Sequence, residues 1–72
     1  MTTPFASVKL ELLTGYSVYF DGIVCEHVQE GTPMFNRSAD WTPGATRVTI
    51  TGTIASTWFG SLVLDRCQFH EH

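Results

Sequence analysis

Three observations predict an all-β chain, a small antiparallel barrel or sandwich of four to six strands with one long loop. Arg47 to Phe59 alternates with a period of two: Val48, Ile50, Ile54 and Trp58 fall on one parity, Thr49, Thr51, Thr53 and Thr57 on the other. Asp21-Gly22 stands between two apolar runs, the strongest short-range signal for a hairpin. No stretch sustains the 3.6-residue period of a helix, so no helix is expected.

The elements follow in order. Ala6, Val8, Leu10 and Leu12 alternate with Ser7, Lys9 and Glu11, which predicts a first strand with one wet face ending at Thr14-Gly15. A type I′ turn at Asp21-Gly22 makes Phe20 and Ile23 the closing pair of a hairpin. Parity then puts Tyr16, Val18, Phe20, Ile23, Cys25 and His27 on the core face. Ser17, Tyr19, Val24, Glu26 and Val28 go outward.

Residues 29–46 hold Gly31, Pro33, Asn36, Ser38, Asp40, Pro43 and Gly44 and are expected to be a long loop or irregular hairpin. Pro33 to Asn36 is read as a short extended piece, with the tip beyond it. Met34, Phe35 and Trp41 are large and apolar in this polar segment. They either cap an open end of the core or insert into a neighbouring subunit.

In the Arg47–Phe59 strand, Gly52 marks a bulge or the close approach of another backbone. Ser61 to Phe69 is the last strand, with apolar residues on both parities, which suggests cover on both sides. The chain is expected to be one β domain over residues 1–72, with loose ends at 1–4 and 70–72.

Composition narrows the function. The chain has 72 residues, 43% of them hydrophobic and 15% charged, with a net charge of −3. A core this small needs help from oligomerisation, a metal or a disulfide. Lys9, Arg37, Arg47 and Arg66 are scattered rather than clustered, which argues against nucleic acid as a partner. No apolar run reaches the roughly 20 residues that cross a bilayer, and no signal peptide is recognisable, so a soluble protein made inside the cell is expected. Cys25 and Cys67 are favoured as two buried thiols over a bridge.

Chemistry finds little purchase. No Ser or Cys stands at a recognisable spacing from a base, so no catalytic residue is assigned. Cys25-x-His27 and His70-x-His72, with Cys67, match no zinc pattern, and neither metal nor cofactor is expected. Trp41 and Trp58 are expected to pack in the core or an interface rather than stack on a sugar.

One resemblance bears on function. From Tyr19 to Ile54 the chain runs Tyr-Phe-Asp-Gly-Ile-Val, then Val28, then Met34-Phe35-Asn36, then Pro43-Gly-Ala-Thr-Arg-Val-Thr-Ile-Thr. This order resembles the β-rich segment of tail-tube initiator and baseplate proteins of tailed bacteriophages and contractile injection systems. The resemblance implies a non-enzymatic virion structural protein, a subunit of a tail, neck or baseplate made in the host cytoplasm. Its expected partners are copies of itself in a homo-oligomeric ring and other virion proteins. Met34, Phe35 and Trp41 are the expected contact residues, with Thr49, Thr51 and Thr53 as an outward strand face. A free-standing binding module that holds a peptide or glycan on the Trp41 loop is the alternative. The Thr face carries no charge beyond Arg47, poor protection for a strand edge, and so is expected to meet another chain.

Overall fold

The computed structural model describes residues 2–12, 14–58 and 60–72, with side chains described for all of these except residue 2, residues 6–12 and Trp58. The expected inward row of Ala6, Val8, Leu10 and Leu12 and the outlook of Trp58 and Phe59 therefore lie outside the described residues. The elements are β1 (Thr2–Leu12), β2 (Gly15–Phe20), β3 (Ile23–Val28), α1 (Pro33–Ser38), β4 (Arg47–Trp58) and β5 (Ser61–Glu71). The strands close into a barrel in the order β1-β2-β3-β5-β4, with β4 returning to β1. Every pair is antiparallel except β3 and β5, which run parallel from Ile23–Leu62 to Cys25–Leu64. This is the topology of the five-stranded Greek-key barrel known as the OB fold.

The β2–β3 hairpin forms with Phe20 opposite Ile23, as the Asp-Gly signal requires. The turn itself differs. Gly22 takes φ +80° while Asp21 does not take a positive φ, a combination found in type II turns rather than type I′. Val18, Phe20, Ile23 and Cys25 are buried as expected, as are Val48 and Ile50 at the start of β4.

Helix α1 is the first correction. Pro33 to Asn36 is not extended but opens a single helical turn and a half. Thr32 caps it, its hydroxyl accepting from the Phe35 amide, and Pro33 takes the first position, where its missing N–H costs nothing. The start signal was present, but too few helical residues follow to show a period.

Trp41 decides the role of the loop. It lies 5.3 Å from Phe5, 5.7 Å from Phe69 and 5.9 Å from Phe20 between ring centroids, in edge-on and tilted contacts, and is buried with Met34. These two close the chain's own core and are not available as subunit contacts. Phe35 is half-buried and stacks at 4.6 Å on Tyr16. The loop is tied to β1 by Phe5 N–H donating to Thr46 O and Gly44 N–H donating to Phe5 O.

The ends are also held. Thr3 is buried and its hydroxyl donates to Asp21 O at 2.6 Å, while Thr2, Thr3 and Pro4 pair with Thr49, Val48 and Arg47. His70 and Glu71 belong to β5, and the Glu71 carboxylate receives a bidentate pair from Arg37 and the Trp41 indole N–H at 2.9 Å. Residues 2–4 and 70–72 are thus part of the barrel rather than loose.

Candidate functional site

Two bulges shape the side of the barrel. On β3, Glu26 and His27 stand where β2 offers only Ser17, and on β5, Arg66 and Cys67 stand where β4 offers only Gly52. His27 at φ 60° and Arg66 at φ 55° are the described non-glycine residues with positive φ, a conformation that costs energy unless the surroundings hold it. Each extra residue reverses the alternation of its strand. So His27, expected inward, is exposed, and Val28, expected outward, enters the core. Leu62 and Leu64 before the β5 bulge and Cys67 and Phe69 after it all pack on one core. Val63, on the opposite parity, is also buried and pairs with the buried Val24 outside that core, so the start of β5 is covered on both sides.

Beyond Cys25 and Leu64 the parallel ladder ends, and β3 and β5 part around an open cleft of about 430 Å³. Val28, Met34 and Phe69 give it an apolar floor, and His27, Asp65 and Arg66 its polar lip. The seam is stapled twice. Cys25 and Cys67 form a disulfide with Cα atoms 6.1 Å apart, so the expectation of two free thiols is wrong. Outside it, His27 Nδ1 lies 3.2 Å from Asp65 Oδ1. Asp65 is held below its ordinary carboxylate range first by the Arg66 backbone N–H, at 2.8 Å, and then by His27.

Among the described residues, several polar side chains of the cleft are already engaged. The Thr32 hydroxyl is committed to the helix cap and to Gln29 O, Cys67, the cysteine that lines the cleft, is held in the disulfide, and the Gln29 amide donates to Thr14 O and His27 O. No buried side-chain nitrogen or oxygen among the described residues is left without a partner. The Cys25/His27/His70/His72 set is dispersed: both cysteines are in the disulfide, His27 faces Asp65, and His70 and His72 pack on each other at 5.2 Å. Among the described residues no three potential ligands are placed to hold a metal ion.

The second feature is the outward Thr strand. Val48 and Ile50 are in the barrel, but Thr51 to Thr57 are exposed without exception, Ile54 at 63%. Ile54 was expected inside with Val48 and Ile50. Among the described residues β1 pairs with β4 as far as Thr49, and beyond that point β4 is flanked by β5, which leaves Ile54 exposed. Thr49 is half-buried, while Thr51 and Thr53 do form an outward face. Gly52 sits where the ribbon leaves the wall, and the expected close approach of another backbone holds, while the extra residue lies on β5 rather than on its own strand. It faces the β5 bulge, and a Cβ there would lie 2.9 Å from Asp65 O.

No protein-family model, curated protein or solved structure matches the chain. Sequence had no means of finding the cleft, which is made by two bulges meeting from distant segments. The exposed ribbon had one signal, the lack of charge along β4.

Proposed function

We propose that this protein is a non-enzymatic assembly subunit, a barrel that joins copies of itself and other proteins of a virion tail, neck or baseplate through β4. The observation behind this is the edge of β4 from Thr51 to Thr57, exposed on both faces, with neither charge nor proline. Isolated domains protect such an edge with Lys, Pro or cover by another segment, because its free N–H and C=O groups are a template for another strand. The resemblance to tail-tube initiator and baseplate proteins fits the same role. So does the disulfide, since such bonds persist in oxidising surroundings, virion surfaces included.

Barrels of this topology elsewhere hold oligonucleotides on the β2–β3 face, but fold alone carries no function. Here β2 and β3 contain no Lys or Arg, and the chain has a net charge of −3, a poor match to phosphates. A binding module that uses Trp41 is disfavoured because Trp41 is core. The cleft between β3 and β5 is the one observation that keeps a small-ligand role as a second reading.

Multi-angle light scattering over a concentration series tests assembly through β4. Mass should rise with concentration for the wild type, and Thr53→Lys combined with Ser56→Lys should suppress the rise while leaving the fold intact. A wild-type protein that stays monomeric up to millimolar concentration, and is not recruited by other virion proteins, refutes it.

A further inference from the structure

We propose that β4 pairs with β4 of a second copy, antiparallel, about a two-fold axis through Ile54. This rests on assembly through β4 and names the partner and register of that contact.

Among the described residues this edge is open, and Thr51 to Thr57 are exposed. β1 covers β4 from Arg47 to Thr49, and among the described residues no strand pairs with the outer edge of β4 beyond that point. What can occupy it is limited by charge. From Val48 to Leu64 the chain has no Asp, Glu, Lys, Arg or His, whereas the remainder holds all seven acids and all four Lys and Arg. A charged strand finds no counter-charge along this ribbon. A second uncharged β4 meets no repulsion, even though each copy carries −3 overall. Asp65, opposite Thr53 on β5, is the nearest formal charge on the ladder. Across a β4–β4 junction the two Asp65 residues are separated by three strand spacings, about 14 Å, beyond the screening length of about 8 Å.

The register follows from symmetry. An isologous contact needs a self-complementary run, and this one is a near-palindrome in side-chain size about Ile54. Thr51 faces Thr57 of the second copy, Gly52 faces Ser56, Thr53 faces Ala55, and Ile54 faces its own equivalent. Thr–Thr and aliphatic pairs directly opposite are favourable cross-strand neighbours. The most exposed large hydrophobic residue described, Ile54, is covered by this register. One feature limits the ladder: Ala55 is an extra residue against β5, between the Ile54–Leu64 and Ser56–Val63 pairs, and it adds twist at the centre.

The contact is weak. A ladder over Thr51–Thr57 is about 24 Å long and roughly 10 Å thick, so it buries on the order of 500 Å² between two copies. That is well below the roughly 1,200 Å² of stable complexes, so the pair forms in a concentration-dependent way. A two-fold contact also closes at two copies. A ring built with it needs a second, different contact and becomes two rings back to back.

Cysteine capture reads the register directly, because exposed positions tolerate substitution and oxidation traps a weak pair. Full-length Ile54→Cys should give disulfide dimers under mild oxidation, and a mixture of Thr51→Cys with Thr57→Cys should give the heterodimer. Thr51→Cys alone should give at least tenfold less dimer, since its copies lie six residues apart along the ladder, about 20 Å. The two-fold register is overturned if Thr51→Cys self-links as readily as Ile54→Cys. It is equally overturned if Ile54→Cys stays monomeric at concentrations where light scattering shows the wild type associating. In both cases assembly through some other register or a heterologous partner strand survives. A wild type that never associates removes assembly and the register together.

Discussion

Reducing the Cys25–Cys67 disulfide should strongly destabilise this protein. The bond closes a segment spanning 42 residues, and the loop-closure entropy it removes from the unfolded chain is worth about 4 kcal/mol at 25 °C. A chain of 72 residues is expected to have a total stability of only about 4–11 kcal/mol, so the bridge contributes a large share of it. At about 4–8 °C per kcal/mol for a domain this small, reduction lowers Tm by roughly 15–30 °C. Cys25 is fully buried in the core while Cys67 is half-exposed, so loss of the bond also loosens the β3–β5 seam, where the backbone ladder has already ended. The assay is urea or thermal unfolding followed by tryptophan fluorescence, with and without a phosphine reductant. Cys25→Ala with Cys67→Ala, unfolded in the absence of reductant, controls for effects of the reductant itself. A reduced protein that keeps its Tm within a few degrees refutes the reasoning, because the seam would then hold without its staple.

Three further outcomes follow from the packing and the charges. Trp41→Ala should cost about 3–5 kcal/mol in chemical denaturation, since it empties the contact among Phe5, Phe20 and Phe69; a near-normal stability with lost association would instead return Trp41 to an interface. Gly52→Ala should destabilise by about 1–3 kcal/mol, because the added Cβ meets Asp65 O at 2.9 Å and Leu64 Cβ at 3.3 Å, and an unchanged urea midpoint would show that the β5 bulge yields freely. Glu71 is held below its ordinary range first by the Arg37 guanidinium and then by the Trp41 indole, so its ionised form is favoured in the folded state. That stabilisation is present above the unfolded carboxylate value of 4.5 and is lost as pH falls through the lower folded value. Thermal midpoints of the wild type and Glu71→Gln should therefore differ at pH 7 and converge in acid. A difference that persists unchanged to pH 2 would assign the effect to shape rather than charge.

What sequence alone determined here is local. The period of two placed four of the five strands within a few residues and chose Val18, Phe20, Ile23, Val48 and Ile50 for the core. Asp21-Gly22 fixed the hairpin and its closing pair, and Gly52 pointed to the close approach of another backbone. These depend on a residue and its near neighbours, which is what alternation and turn chemistry report. The open Thr face was visible in part, through Thr51 and Thr53 and the missing charge.

Tertiary structure alone decided the rest. Parity holds only while the ladder is regular, so the left-handed bulges at His27 and Arg66 moved Val28 inward, His27 outward, and both halves of β5 onto one core. Neither residue is a glycine, so no local signal announced them. The same closure brought Cys25 to Cys67 across 42 residues and drew Trp41 from a polar loop under the barrel. Among the described residues β1 pairs with β4 as far as Thr49, and Ile54, beyond that point, is exposed at the end of an alternation that reads as core. Which face of a strand is inside is a property of what lies beside it, and in this barrel the neighbours come from distant parts of the chain.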